Sequence, residues 1–226
     1  MKTLLFPLLL LTSLAAKGQL VAPKDTAKAK QLYIGVTATT MGYNLKYKQE
    51  PKGGDIHTYG VLHVGFKLSP RTRVQAGFSY GTAEIDHSYI YVEAEDRLIY
   101  YDEVARTRGV AMPITVEYRL FYPFRKLQFY ATGMFTPIYS TTRLQKTESR
   151  DEVTTITYDE NASGFNAYLT AGFGIGYPVT KRLDAYFNYY MISRSINNGL
   201  RRKDEYPYPG SLAIGLNYNL NLKREK

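Results

Sequence analysis

A compact group of polar residues at positions 84–88 is the first feature of the chain that could support catalysis. Glu84, Asp86, His87 and Ser88 supply the carboxylate, imidazole and hydroxyl of an acyl-transfer triad. They fall in a segment with strand-like alternation, and successive side chains of a strand point to opposite faces. Because His87 and Ser88 would then diverge, we favour a polar hairpin over a lipid-modifying hydrolase and predict a non-enzymatic protein.

Metal and nucleotide sites have weaker support still. The chain has three histidines and no cysteine, and the histidines show no repeated spacing that would suit a metal. The glycines at 172, 174 and 176 resemble a nucleotide-binding fingerprint on paper, but no helix pattern follows them. We therefore interpret them as a smooth inner wall of a sheet, and we predict that the protein carries no cofactor and no metal.

A sequence pattern recurs where one strand ends and the next begins: an aromatic-rich strand, a proline, a short basic turn and another strand. It occurs at 68–74, 122–127 and 177–183. Proline cannot donate to a sheet ladder and presets a turn. Between these turns apolar and polar residues alternate with period two, as in Leu62, Val64 and Phe66 against Tyr59, His63 and Gly65. Counting such segments gives eight strands over residues 31–222, and Pro113 predicts a bulge or break within one of them.

The pattern predicts an all-β fold, an eight-stranded antiparallel up-and-down transmembrane β-barrel. One face of each strand is almost free of charge over the length a membrane requires, and aromatic residues stand near the strand ends. The opposite face is rich in Gly, Asn and Thr. A soluble lipocalin-like ligand-binding barrel remains the alternative, because alternation alone does not say which face is inside.

The start of the chain predicts export. Residues 1–18 have the charged start, apolar middle and small-residue end of a cleaved signal peptide. Residues 19–30 would form a short periplasmic segment, and residues 223–226 a basic C-terminal tail. With the barrel pattern, this predicts the bacterial outer membrane as the location. We expect outer-membrane lipid and lipopolysaccharide, the barrel-assembly machinery and an envelope protein as partners.

Charged residues on the polar face predict a filled lumen. The interior of an eight-stranded barrel is only wide enough for side chains, and buried charges must be paired. We therefore predict a structural ion-pair network that plugs the lumen, formed by five residues: Lys67, Arg73, Glu117, Arg119 and Asp184. The formal charge of +9 could also suit nucleic acid, but its charges lie in turns, loops and tail rather than in one patch, so we predict no nucleic-acid partner.

Loop lengths predict the orientation in the membrane. Short turns of such barrels face the periplasm and long connections face outside. The predicted outer connections are residues 48–56, the tip at 94–97, residues 148–163 and residues 197–209. The strands at 85–92 and 98–108 run past the length a membrane needs, so they should project as a hairpin. Its tyrosines are a candidate contact surface for a partner: Tyr89, Tyr91, Tyr100 and Tyr101.

Two passages, residues 107–114 (TRGVAMPI) and 171–177 (AGFGIGY), resemble the outer-membrane β-barrel domain family common in Bacteroidota. A subset of that family is similar to the PorT protein of the gliding and type IX secretion system. Residues 215–220 (GLNYNL) resemble a terminal assembly signal, although residues 221–226 follow it in place of a terminal aromatic. The resemblance implies a small structural or docking component of the envelope, associated with secretion, and implies no site residues.

Overall fold

The computed structural model describes residues 31–93, 97–124, 126–150, 153–197 and 210–220, and nearly all of this backbone is β-strand. The predicted signal peptide, the segment 19–30 and the basic tail lie outside the described residues. The strands are β1 (Gln31–Lys46), β2 (Gly53–Lys67), β3 (Thr72–Glu93), β4 (Arg97–Ala111), β5 (Ile114–Phe121), β6 (Gln128–Arg150), β7 (Val153–Pro178), β8 (Leu183–Ser195) and β9 (Ser211–Leu220).

The strands close into an antiparallel ring. Except for β4 and β5, each strand pairs with its neighbours in the chain, and β1 pairs with β9 to complete the circle. β4 and β5 share one place in the ring, because both pair with β3 and β6 and not with each other. The ring therefore has eight positions, which confirms the predicted eight-stranded up-and-down barrel.

Pro113 accounts for the division between β4 and β5. Ala111 pairs with Ser79 and Ile114 pairs with Ala76, so the register to β3 is the same on both sides of the proline. The Gly77 amide still donates to the Pro113 carbonyl over 2.8 Å. Because proline has no N–H, it cannot donate the reciprocal hydrogen bond to β3. The ladder therefore loses one bond, although neither strand contains an extra residue. Of the two predicted outcomes, the structure shows the break and not the bulge.

The outer wall is apolar and the inner wall is polar or tyrosine-rich. Ile34, Val36, Leu62 and Phe78 are between 48% and 65% exposed on the outside. Aromatic side chains stand toward both ends of this belt, among them Tyr80, Tyr118, Tyr177, Tyr189 and Tyr218. The predicted assignment of faces is confirmed. Among the described residues, no helix is long and apolar enough to cross a membrane.

One predicted face is wrong at Tyr59. Strict alternation put Tyr59 on the inner face with His63, but the structure exposes 71% of its side chain on the outside. The pairing of β2 with both β1 and β3 shifts register near this point, between Thr58 and Leu62 on the β3 side. An extra residue in a strand exchanges the faces of the residues beyond it. Tyr59 therefore joins the outer aromatic residues.

Four strands continue far above the ring. β3, β6 and β7 contain 22, 23 and 26 residues, about twice the 9–11 that cross a bilayer. The hairpin predicted at 85–108 is confirmed by continuous β3–β4 pairing. The loop predicted at 148–163 is wrong, because β6 and β7 stay paired up to Arg150 and Val153. We call this four-stranded sheet, formed by 83–93, 97–108, 141–150 and 153–163, the outer extension.

A bulge in β8 depends on a glycine in β7. Gly172 pairs with Tyr190 and Ala171 pairs with Ile192, which leaves Met191 as the extra residue. A Cβ built on Gly172 would lie 2.0 Å from the Tyr189 carbonyl oxygen. Only glycine permits this approach of the two backbones. Met191 and Ile192 are consequently both exposed on the outer wall.

Replacing Gly172 with alanine should destabilise the barrel by about 3 kcal/mol, the upper end of overpacking costs, because the clash is with backbone. Gly133→Ala is the matched control, since a Cβ there meets nothing within 4 Å. We expect its stability to equal or exceed the wild type. Urea unfolding followed by tyrosine fluorescence measures both; equal midpoints for the two variants would contradict the clash.

Candidate functional site

The predicted charged residues lie together on the inner wall, at the end of the barrel that holds the short turns. Lys67, Arg73 and Glu117 are consecutive neighbours across β2, β3 and β5. Arg73 Nη2 also lies 3.3 Å from Asp184 Oδ2 on β8, on the other side of the lumen. Asn219 Nδ2 donates to the same carboxylate oxygen over 3.2 Å. Arg73 thus lies between two carboxylates.

Arg119 completes this group from β5. Its side chain lies over the Tyr122 ring, 4.9 Å from the centroid, and donates a hydrogen bond to the Tyr122 hydroxyl. Arg119 and Glu117 are only 7% and 4% exposed. A cavity of about 10 Å³ beside them is also lined by Arg73 and Tyr130. Such a space suits at most a single water, so this end of the lumen is filled.

Tyrosine rings fill the next layer, and each lies over a glycine of a neighbouring strand. The rings of Tyr33, Tyr130 and Tyr186 occupy the positions where a Cβ on Gly65, Gly174 and Gly215 would stand, at 2.3 to 2.5 Å. Tyr33 donates to Gln75 over 3.2 Å, and Tyr130 donates to Asn188 over 2.6 Å. These glycines accommodate rings; they do not keep the wall smooth and open.

His63 belongs to this layer as a hydrogen-bonded structural residue. Its Nε2 lies 2.7 Å from Asn217 Oδ1, and its Nδ1 lies 3.4 Å from the Thr37 hydroxyl. The Thr37 hydroxyl is also bonded to the Tyr186 hydroxyl. Both ring nitrogens are therefore engaged, and the neighbouring groups are amides and hydroxyls. This arrangement fixes the imidazole and offers no carboxylate to activate it as a base.

An apolar cluster closes the lumen on the other side. Leu45, Ile56 and Ile138 are completely buried inside the barrel, with Met41 and Tyr43 beside them. Tyr47 donates to Ser140 over 3.0 Å, so its ring is fixed across the upper lumen. Below this cluster remains a cavity of about 30 Å³, room for about one or two waters. The lumen is thus a packed core in the residues that the structure describes.

The four tyrosines proposed as a contact surface do not share one face. Tyr89 and Tyr101 stack at 5.1 Å between centroids and 12° between planes, and Tyr91 lies on the same face. Tyr100 pairs with Ile90 and lies on the opposite face. The prediction of one surface is wrong in this respect, because consecutive residues 100 and 101 of a strand must point in opposite directions.

Ion pairs cover both faces of the outer extension. Arg143 Nε and Nη2 bind the two Asp159 carboxylate oxygens at 2.8 and 2.6 Å, and this hydrogen bonding lowers the pKa of Asp159. Lys146 Nζ lies 3.0 Å from Glu103 Oε2 on the other face. Exposed pairs contribute little stability. Three of these four residues lie on β4 and β6, the inner strands of the outer extension, so the pairs place charge over its faces rather than along its edges.

The sequence group at 84–88 does not form a catalytic site. Ser88 pairs with Asp102 and His87 pairs with Glu103, so the two side chains leave opposite faces of the hairpin. Glu84 binds Arg106 at 3.0 Å. Within the described ranges, no group of three or more His, Asp or Glu side chains could hold a metal ion.

No protein-family model matches the chain, and no curated protein matches it. Among solved structures, the attachment invasion locus protein Ail of Yersinia pestis aligns over 84% of this chain and 97% of its own, with 11% identity and a TM-score of 0.38. CarO2 of Acinetobacter baumannii covers 84% and 98%, with 14% identity and a TM-score of 0.37. Neisserial surface protein A covers 83% and 96%, with 13% identity and a TM-score of 0.31. These likenesses are remote, and the assignments below depend on the residues of this chain.

Replacing Glu117 with glutamine should destabilise the barrel by about 3–5 kcal/mol, because Arg73 would lose one of two flanking carboxylates inside a packed lumen. Glu84→Gln breaks the exposed pair with Arg106 and should change stability by less than about 1 kcal/mol. The temperature at which the folded band disappears from an unboiled gel measures both. Identical temperatures for the two variants would contradict a structural role for Glu117.

Proposed function

We propose that this protein is a non-enzymatic outer-membrane barrel that anchors a docking surface in the cell envelope. The observation that carries the proposal is the placement of residues: apolar side chains cover the outside, whereas polar side chains and tyrosines line most of the inside. Water-soluble monomers rarely expose a continuous apolar surface of this extent. The outer apolar belt with aromatic residues toward its ends suits a bilayer.

The filled lumen argues against transport. The charged group closes one end, the tyrosine layer follows, and the apolar cluster closes the other end. A route for sugars or ions would require most of these contacts to break together. The barrel therefore serves better as a rigid support than as a pore.

The outer extension is the part that we assign to docking. It presents exposed apolar residues nearer its tip than the Glu84–Arg106 ion pair, among them Ile90 and Val92, each 59% exposed, and Tyr100 at 46%. The edge of β3 is also unpaired on the β2 side beyond Thr82, where pairing with β2 ends. Exposed edges and apolar patches are the usual contact points for a partner chain. The resemblance to PorT-like proteins suggests a partner within a secretion system.

The two alternatives fit the structure less well. A lipid-modifying hydrolase would need His87 and Ser88 on one face, and they diverge. A lipocalin-like barrel encloses its ligand in an apolar cavity, whereas this interior is filled by hydrogen-bonded polar groups, tyrosines and a packed apolar cluster. Neither alternative explains the apolar outer belt.

Cell fractionation tests the location. The tagged protein should be recovered with outer membranes, and boiled and unboiled samples should migrate differently on a gel because a closed barrel resists detergent unfolding. Recovery as a soluble periplasmic protein would refute the proposal and favour a ligand-binding barrel.

Single cysteines test the orientation, since the chain has none of its own. Ile90→Cys in the outer extension should react with a membrane-impermeant maleimide on intact cells. Thr180→Cys, in the short turn between β7 and β8, should react only after the outer membrane is permeabilised. The reverse pattern would place the outer extension in the periplasm and end its assignment as an external docking surface.

A further inference from the structure

A groove runs along the outer wall of the barrel across β5, β6, β7 and β8. Its volume is about 520 Å³, within the range of small-molecule sites. The lining is apolar over most of its length, with Val116, Phe135 and Leu169 among the wall residues, and it includes a single charged side chain, Arg194. This groove has no part in the docking surface described above.

The floor of the groove exists because Gly133 has no side chain. Gly133 lies between Val116 on β5 and Ala171 on β7, so two small residues are adjacent in a wall of large ones. A Cβ on Gly133 would meet nothing within 4 Å. The bulge in β8 raises one side of the depression, because it places Ile192 on the outer wall beside Ala171.

Arg194 stands at the end of the groove that is nearer the outer extension. It is the second-last residue of β8 and pairs with Leu169, which in turn pairs with Phe135. Its guanidinium makes no hydrogen bond or ion pair with any of the described residues. At the end of β8 the guanidinium is at the height of the lipid headgroups, where an anionic headgroup can pair with it.

We propose that the groove binds one acyl chain of a phosphorylated glycolipid of the outer leaflet, with Arg194 holding the phosphate. The charge and the apolar groove match the two parts of such a lipid, and a guanidinium binds phosphate oxygens in a bidentate manner. The lipid belongs to the outer leaflet, because Arg194 lies at the end of the groove nearer the outer extension, which we place outside the cell. This inference rests on the proposed outer-membrane location.

A second copy of the chain is the competing occupant. Two copies that met through this groove about a twofold axis would set the Arg194 of each copy against the apolar wall of the other, because the groove holds no acidic side chain, and an unpaired charge in a low-dielectric contact is unfavourable. A lipid phosphate instead neutralises the guanidinium. The observations therefore favour lipid over self-association.

Two variants remove the two halves of the site. Gly133→Leu fills the groove where a side chain has open space, and Arg194→Gln removes the charge. Gly60→Leu is the control for the first, because Gly60 is also exposed and its Cβ would lie 3.8 Å from the nearest atom, the Thr37 carbonyl oxygen. Arg182→Gln is the control for the second, since Arg182 is an exposed arginine at the opposite end of the barrel, 3.3 Å from the Tyr218 hydroxyl.

The measurement is native mass spectrometry of the detergent-purified protein incubated with lipid A. The wild type and both controls should retain one lipid A per barrel. Gly133→Leu and Arg194→Gln should each lower the bound fraction by about tenfold, and dephosphorylated lipid A should bind the wild type as weakly as lipid A binds Arg194→Gln.

Three results would overturn the lipid site: undiminished lipid A binding by both variants, equal binding of phosphatidylglycerol, or a wild-type dimer that Gly133→Leu dissociates. Fractionation of the wild type decides the proposed function separately. A barrel recovered from the outer membrane that shows any of these results would lose the lipid site and keep its assigned location.

Discussion

The narrow lumen is the constraint on which the rest of the structure depends. An eight-stranded barrel encloses a space only as wide as its side chains, so every polar group on the inner wall must find a partner there. The chain meets this requirement in layers: Arg73 between carboxylates, tyrosine rings over glycines, then the cluster around Ile56. Apart from the Thr132 and Thr136 hydroxyls, the buried polar side chains of the described residues find partners within the lumen, and the apolar side chains of the strands lie on the outer wall.

Alternation in the sequence was sufficient to predict the eight strands and which face of each is apolar, because both follow from a period of two. The prediction is wrong where the backbone departs from that period. It is also wrong where solvent surrounds both faces of a strand pair, because neither face then has to be apolar. Tyr59 lies on the outer face because of a bulge whose local signal is Gly60, a residue that the alternation argument does not use. The strands at 148–163 lie above any bilayer, so their polar, Thr-rich sequence resembled a loop although β6 and β7 stay paired.

The candidate sites likewise divide into those that alternation predicts and those that it does not. The inner charges could be placed by alternation because each belongs to one strand. Two features depend on which residues lie opposite each other on neighbouring strands: the packing of the Tyr130 ring over Gly174, and the groove at Gly133. That register is a long-range property, and a single sequence does not contain it. A glycine on the lipid-facing side of a strand, such as Gly133, is the signal that could have indicated a depression.

The pairing of β1 with β9 has a consequence for the order of assembly. Leu32 lies beside Leu220, nearly the full described chain away, and such distant contacts form slowly because a long loop must close first. Until β1 and β9 meet, both present open hydrogen-bonding edges, and an edge of this kind recruits other strands. Closure of the ring is therefore both the pairing with the largest sequence separation among the described strands and the step that removes the last two edges open to other chains.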